Sequence, residues 1–487
     1  MFNPLFDIDF YKADHRRQYP AGTTKVYSNL TPRSDKLKCI PDDIWTGKVT
    51  FFGLQYFIKE YLQNQWDTQF FSQNLNYILD EYKDIMDNAL GKDAIPLDHI
   101  VDLHKLGYLP IEIKALPEGT NVPIGVPVLT IENTHPNFFW LTNYLETVLS
   151  CYLWKPITSA TIARHYRLYL DKMAKQTGNE DFVDFQGHDF SFRGMSSVMD
   201  AAASGAGHLL SFKGTDTIPA ILLLKKYYEA SGFIAGSVPA TEHSVMCMGG
   251  KETEVETIDR LLDLYPTGIV SVVSDTWNLW DVLTKYAVQL KDKIMNRNGK
   301  IVFRPDSGNP VKIICGDKSL PQDNPAHWGC MQLLWKEFGG TINNKGYKEL
   351  DSHIGLIYGD SITFDRAKQI CEGLEQMGFA TTNMVFGIGS YTYQYVTRDT
   401  FGFAVKSTYG EINGVGQEIF KNPITDNGVK KSAKGKIAVV NKNGLKLMDQ
   451  VQSNVDEDLL RTVFKNGCLL NATTLEEIRN RVQSYES

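Results

Sequence analysis

Between Phe182 and Ser390 one device recurs: an apolar, strand-like run stops on a polar or charged residue, and a helix-like segment follows. The first stops are Phe185-Gln186-Gly187-His188-Asp189, Ser211-Phe212-Lys213-Gly214-Thr215-Asp216 and Ser237-Val238-Pro239-Ala240-Thr241-Glu242-His243. Ser271-Val272-Val273-Ser274-Asp275, Val302-Phe303-Arg304-Pro305-Asp306, Leu356-Ile357-Tyr358-Gly359-Asp360 and Val385-Phe386-Gly387-Ile388-Gly389 complete the set. Continuous apolar runs mark strands buried on both faces, the condition of a parallel sheet. In a β/α barrel the carboxyl ends of such strands open on one face, where catalytic residues gather. Carboxylates, two histidines, an arginine and a Gly-x-Gly therefore converge on one mouth. The expected fold class is α/β, an irregular β/α barrel catalytic domain plus an α+β domain built from the N- and C-terminal segments. Such a mouth predicts an enzyme.

A chain of 487 residues has room for more than one domain. The first 180 residues lack the strand-helix beat, and after Arg398 the pattern turns β-rich. The expected division is therefore 1–180 with 391–487 as the α+β domain and 181–390 as the barrel. Strands are expected at 109–116 and 126–131, and helices over 138–152 and 157–175, broken at Pro156. Asn443-Gly444 predicts a hairpin, and Thr474-Leu475-Glu476-Glu477 a capping box opening a last helix.

No apolar stretch reaches membrane-spanning length and the start carries no signal-peptide pattern, so a cytoplasmic protein is expected. The seven cysteines are scattered and never form Cys-x-x-Cys, which speaks against a disulfide framework or a cysteine metal cluster. A net charge of −7 argues against a general nucleic-acid binder. Basic clusters at Lys12–Arg17 and Lys430–Lys436 are solvated surface or phosphate holders.

Gly387-Ile388-Gly389-Ser390 would let a phosphate approach backbone N–H groups, as loops after late barrel strands often do. It is not a dinucleotide fingerprint, because Ser390, Tyr391 and Thr392 follow, and no P-loop pattern occurs in the chain. In Arg304-Pro305-Asp306-Ser307-Gly308-Asn309-Pro310 a proline fixes the backbone between a cation and an anion. That segment is a buried ion pair, or a holder of ribose hydroxyls with Mg²⁺ on Asp306 and Asp360. His243, preceded by Glu242 at a strand end, suits a nucleophile or proton carrier. Phe190, flanked by His188, Asp189 and Arg193, is the best shelf for a flat heterocycle.

These segments resemble the nicotinamide phosphoribosyltransferase family of type II phosphoribosyltransferases. The resemblance rests on His188–Gly194, Phe212–Thr217, Ser237–Ser244 and Arg304–Pro310, with Asp9-Phe10-Tyr11-Lys12, Thr397-Arg398-Asp399 and Thr462–Gly467. It spans essentially the whole chain. It implies a homodimer with sites at the interface, Mg²⁺, and transfer from 5-phosphoribosyl-1-pyrophosphate (PRPP) to nicotinamide, giving nicotinamide mononucleotide and pyrophosphate. The resemblance also implies ATP as co-substrate, coupled through a phosphorylated histidine.

The implied catalytic residues are His243, Asp306, Asp216 and Arg304. Phe190 and the partner subunit's Tyr11 would sandwich the pyridine ring, with Asp216, Arg304 and Ser274 around it. Arg193, Asp306, Gly359, Asp360, Gly389, Ser390 and Arg398 would meet the ribose and its phosphate. Arg33, Arg193, Lys406, Lys421 and Lys430 would neutralise pyrophosphate or ATP, and His243 would take the phosphoryl group. Asn278 stands where vertebrate members carry Asp, Ser390 and Tyr391 replace glycines, and Ala404 replaces a serine. The rival readings are a nicotinate phosphoribosyltransferase and a non-catalytic sugar-phosphate binder. Asp216 speaks against the first, since an ionised carboxylate repels nicotinate and accepts from an amide.

Overall fold

The computed structural model describes residues 2–420, 433–452 and 455–484. Lys421 and Lys430 lie outside the described residues. Six parallel strands form one sheet in the order Gly214–Thr215, Gly187–Asp189, Met384–Ile388, Ile354–Tyr358, Asn298–Arg304 and Thr267–Val273. The remaining expected run becomes a bridge between the two edges. Gly236 pairs with Gly214 and Ala240 with Ser271, both in parallel. Thr215 N donates to Gly236 O (3.1 Å) and Ser271 N to Pro239 O (2.8 Å). Pro239 has no N–H to give a ladder, so this contact stays as isolated bridges.

Alternation along each strand decides what faces the lumen. In Asn298–Arg304 the residues Ile301 and Phe303 are each 1% exposed and turn outward to the helices, leaving Lys300, Val302 and Arg304 on the other face. The second sheet is seven-stranded, in the order Val415–Glu418, Ala404–Ile412, Thr23–Thr31, Leu129–Asn133, Ile111–Ala115, Arg461–Lys465 and Cys468–Leu469. Both chain ends thus build one layer. The hairpin forms between Ala438–Asn441 and Leu445–Met448, and the last helix, Leu475–Gln483, carries its capping box.

Two elements depart from expectation. The nine-residue strand Thr23–Thr31 lies inside the second sheet, although Ser28 and Asn29 interrupt its apolar pattern. Both are buried, and their polarity is met within the core: Ser28 Oγ bonds Asn143 Oδ1 and Ser407 Oγ at 2.8 Å each, and Asn29 donates to Lys406 O. The helix Glu146–Thr177 also runs unbroken through Pro156. The missing backbone bond costs about 3 kcal/mol in an isolated helix. Here Leu153, Ile157 and Ala160 are fully buried around the proline, and its ring rests over Gly53, where a Cβ would fall 2.7 Å from Pro156 Cγ. Tertiary burial outweighs the local defect.

His208 ties this scaffold to the barrel. Its ring is fully buried, its Nδ1 lies 2.7 Å from Tyr393 Oη, and its Nε2 lies 3.1 Å from Gly214 O. Burial pushes its pKa down to about 4, so the folded protein holds it neutral. A histidine with a depressed folded pKa stabilises above its unfolded value, and that contribution is lost as pH falls toward the folded one. The unfolding temperature is therefore expected to drop as pH is lowered from about 6.5 to about 4. His208→Gln, whose amide replaces both hydrogen bonds, should show a shallower drop in thermal scans. Parallel curves would remove His208 from this linkage.

Candidate active site

At the carboxyl ends of the strands the Phe190 ring lies across two glycines. Phe190 N donates to Ile388 O (2.9 Å), which seats the residue beside the Met384–Ile388 strand. A Cβ at Gly387 would fall 2.5 Å from Phe190 Cδ2, and one at Gly359 would fall 2.7 Å from Asp306 Oδ1. Only glycine leaves space for the ring and the carboxylate at those points. His188 flanks the shelf, with ring centroids 4.8 Å apart.

Asp216 sits beside this shelf with its side chain 42% exposed. Its Oδ1 receives both His188 Nε2 (2.8 Å) and Ser237 Oγ (2.6 Å), which leaves Oδ2 without a partner among the described residues. Burial raises the carboxyl pKa, but the His188 and Ser237 hydrogen bonds and the Arg304 charge outweigh it and hold the group below its ordinary value. Asp216 is thus an ionised acceptor with one oxygen to spare. Arg304 donates from Nη2 to Thr241 O (2.6 Å), while its Nε is buried and unpartnered. Ser274, expected near the ring, is fully buried: its Oγ donates to Val272 O (2.7 Å) and accepts from Arg304 N (3.2 Å). It fixes the strand end that carries Arg304.

Asp306 and His243 meet across the mouth, with His243 Nε2 3.7 Å from Asp306 Oδ2 and His243 Nδ1 3.3 Å from Thr276 Oγ1. The imidazole is half exposed and opens the short helix His243–Cys247. Asp275 anchors the Asp306 loop, accepting Asp306 N (2.8 Å) and Ser307 Oγ (2.6 Å) on Oδ2. Its buried Oδ1 has no partner. Sequence reasoning assigns Asp275 no role, although it ends the run Ser271–Asp275 just as Asp306 and Asp360 end theirs. Asp360 is exposed at the next strand end, after Gly359, whose N–H reaches Pro305 O at 3.4 Å.

The expected phosphate ligands are more dispersed. Gly389 precedes the short helix Ser390–Tyr393, and Ser390 lies so close to Gly194 that a Cβ there would collide with it, which brings the Arg193 turn to the Gly389 loop. Arg193 is exposed, and its charge is felt by Arg304. Arg33 Nε donates to Gly402 O (3.2 Å), joining the loop that begins at Arg398. Arg398 pairs with Asp399 at 3.2 Å, and Lys406 is exposed on the Ala404–Ile412 strand. Tyr11, 61% exposed, lies on His15 (5.3 Å between centroids) and joins none of the groups at the mouth within this chain.

Among the described residues no group of three or more His, Cys, Asp or Glu side chains is placed to hold a metal ion. A Mg²⁺ that keeps its waters and leans on one or two carboxylates plus substrate phosphates needs no such cage. Asp306, with its side chain 34% exposed, and the exposed Asp360 are oxygen donors of that kind. A cavity of about 540 Å³ begins between Phe190, Asp216 and Arg304 and continues into the lumen. No helix among the described residues is long and apolar enough to cross a membrane.

A parallel barrel with a ring shelf, an ionised acceptor and an Asp–His pair at one mouth defines the class expected of a phosphoribosyltransferase. Comparison with known proteins agrees. The Nicotinate phosphoribosyltransferase (NAPRTase) family matches residues 185–468, and Nicotinamide phosphoribosyltransferase, N-terminal domain, matches residues 3–113. A nicotinamide phosphoribosyltransferase of Acinetobacter baylyi is 56% identical over 496 residues, covering 100% of this chain and 98% of the relative. One of Mycoplasma pneumoniae is 36% identical, covering 87% and 92%. Among solved structures, human nicotinic acid phosphoribosyltransferase superposes with a TM-score of 0.55 at 14% identity, covering 98% of this chain and 92% of that one, a likeness of fold alone. The chain belongs to the nicotinamide phosphoribosyltransferase family.

Gly387 offers a test of the shelf. Gly387→Ala should push Phe190 aside and lower kcat/KM for the ring substrate roughly ten- to hundred-fold, the usual cost of misplacing a reactant. Circular dichroism should remain unchanged. Unaltered kinetics would show that Phe190 does not position the ring.

Proposed function

We propose that the protein transfers the phosphoribosyl group of PRPP to nicotinamide in NAD salvage, releasing pyrophosphate. The observation that carries this reading is Asp216: both of its donors fall on Oδ1, so an ionised Oδ2 remains to accept one carboxamide N–H. Nicotinate in that place would set carboxylate against carboxylate. Arg304 stands near for the carboxamide oxygen, and Phe190 with the partner subunit's Tyr11 would enclose the ring in a homodimer. In this reading 181–390 is the catalytic barrel, while 1–180 and 391–487 lend the dimer interface and the phosphate-binding cations.

The chemistry asks little of a base. The pyridine nitrogen is already a nucleophile; the C1–O bond to pyrophosphate breaks as the C1–N bond forms, through an oxocarbenium-like centre. Catalysis is then positioning and charge stabilisation. Asp306, with Gly359 and Asp360, addresses the ribose. Gly389, Ser390 and Arg398 take the 5′-phosphate, and Arg33, Arg193 and Lys406, with Lys421 and Lys430, take the pyrophosphate or ATP. Mg²⁺ on Asp306 and Asp360 would offset the leaving group's charge.

Side-by-side assays with labelled nicotinamide and nicotinate test the reading, which fails if nicotinate is the better substrate. Asp216→Ser should lower nicotinamide turnover roughly ten- to hundred-fold, the worth of a hydrogen bond to a charged group. It should also narrow the preference; an unchanged selectivity ratio would remove Asp216 from recognition.

ATP coupling is proposed to run through His243. An imidazole nitrogen attacks the γ-phosphorus, the bond to the ADP oxygen breaks, and the ring proton leaves to solvent or to Asp306, 3.7 Å away. The phosphohistidine adds charge and acceptor oxygens that organise the pyrophosphate site. His243→Ala should lose ATP hydrolysis and ATP stimulation while retaining slow ATP-independent synthesis. Normal stimulation in that variant would overturn the role.

A further inference from the structure

Two turns that flank the mouth are joined by a buried lysine from the long helix. Lys155, on Glu146–Thr177 and just before Pro156, is 5% exposed. Its Nζ donates to Gln394 Oε1 at 2.8 Å and pairs with Asp200 Oδ1 at 3.7 Å. The other side-chain polar atom of each partner closes on Ser196. Gln394 Nε2 donates to Ser196 Oγ at 2.7 Å, and Ser196 N donates to Asp200 Oδ2 at 2.9 Å. The four residues form one closed ring. An ammonium carries donors alone, so Lys155 fixes which way the Gln394 amide faces, with its oxygen toward the lysine and its NH2 toward Ser196.

This ring bears on the groups that would meet phosphate. Ser196 follows the turn Phe192–Gly194 that carries Arg193. Gln394 ends the short helix Ser390–Tyr393, which begins after Gly389, and its N–H donates to Ser390 O at 2.8 Å. The two turns already touch, since a Cβ on Gly194 would collide with the Ser390 side chain. Behind them the frame is tight. Four residues on from Lys155 and Asp200, Ser159 Oγ lies 2.7 Å from Ser204 Oγ, and a Cβ at Gly207 would fall 2.9 Å from Ala160 N. Lys155 thus reaches from two interlocked helices to both turns at once. A buried ammonium adds little net stability to a fold, because desolvation offsets its pairing, and a well-packed apolar side chain of similar volume often serves as well. Its use must lie in what it aligns.

We propose that Lys155 is a positioning residue for PRPP: through Gln394, Ser196 and Asp200 it holds Arg193 and the Gly389–Ser390 loop at the separation a phosphorylated sugar spans. This rests on the phosphate roles given above to Arg193, Gly389 and Ser390. Lys155 itself is buried in the frame and acts only through its partners. The ring includes none of Phe190, Asp216 and Arg304, so its loss falls on the phosphate side of the site rather than on the pyridine side.

Titration calorimetry of PRPP with Mg²⁺ into the full-length protein reads this alignment without turnover. Lys155→Met keeps the length and drops the charge, and should weaken PRPP binding roughly ten- to hundred-fold, as loss of a charge-assisted bond does. The KM for the pyridine substrate at saturating PRPP should stay within about two-fold of wild type, the scatter expected of an independent site. Gln394→Ala, at a half-buried position, should give the same split. The double variant should bind PRPP no more weakly than either single one, because each change opens the same ring. Should Lys155→Met fail to fold, Gln394→Ala decides alone. Unchanged PRPP binding, equal weakening of both substrates, or losses that add in the double variant would each overturn the proposal. PRPP binding that the variants weaken, in a protein that prefers nicotinate, would sink the functional reading alone.

Discussion

The stretch 236–243 holds the mouth together, and most of the site hangs on it. It closes the gap between the two edge strands through the Gly236–Gly214 and Ala240–Ser271 bridges. From the same stretch Ser237 reaches Asp216, Thr241 O takes the Arg304 guanidinium, and Thr241 Oγ1 accepts Val273 N at 2.9 Å. Two residues on, His243 arrives opposite Asp306. Closure of the barrel and aim of the site are therefore one event. Because Pro239 prevents a full ladder, only a few backbone bonds hold this closure, and the side-chain bonds to Asp216 and Arg304 brace it. The groups that would bind substrate also help shut the scaffold around it.

The charges at this mouth are costly to assemble. Arg304 is half-buried and feels the charges of Asp306 and Asp216, and Asp275 stands behind Asp306. Buried ionic groups are tolerated where each is hydrogen-bonded. Here Asp216 Oδ1, Asp275 Oδ2 and Arg304 Nη2 are satisfied, while Asp275 Oδ1 and Arg304 Nε are not. Orphaned polar atoms in a native site call for a physical reason. Asp275 Oδ1 and Arg304 Nε are closed off from solvent, so their cost falls on the fold and is offset by the bonds that Asp275 Oδ2 and Arg304 Nη2 make.

The strand stops are legible because burial on both faces leaves a local mark: an apolar run ended by the residue that projects from the mouth. That pattern alone locates His188, Asp216, His243, Arg304, Asp306 and Gly359. Relations between distant segments leave no such mark. Thr23–Thr31 reads as polar because its partners, Asn143 and Ser407, lie more than a hundred residues away. Pro156 reads as a helix end because the burial that overrides it comes from other elements. Ser274 sits at a strand stop yet turns inward to the backbone, a choice of side-chain direction that spacing does not record. Tyr11 poses a further difficulty, since within its own chain it is exposed, lies on His15 and meets no group at the mouth.

The lumen explains why this barrel is irregular. A regular β/α barrel fills its interior with layers of branched side chains, and such a core would leave no room behind the mouth. Here Ser271, Val302, Gly355 and Val385 face inward, and the space they leave is the cavity. Apolar burial forgone inside the barrel must be recovered outside it. The outward faces do so with Val270, Val272, Ile301, Phe303, Leu356 and Phe386, each at most 1% exposed. The long helix Glu146–Thr177 adds an apolar run buried at Leu153, Ile157, Ile162 and Tyr166. Stability is thus moved to the outer layer, which frees the inner face to be chosen for binding. That freedom is what permits Lys300 to face the lumen on a strand whose end carries Arg304.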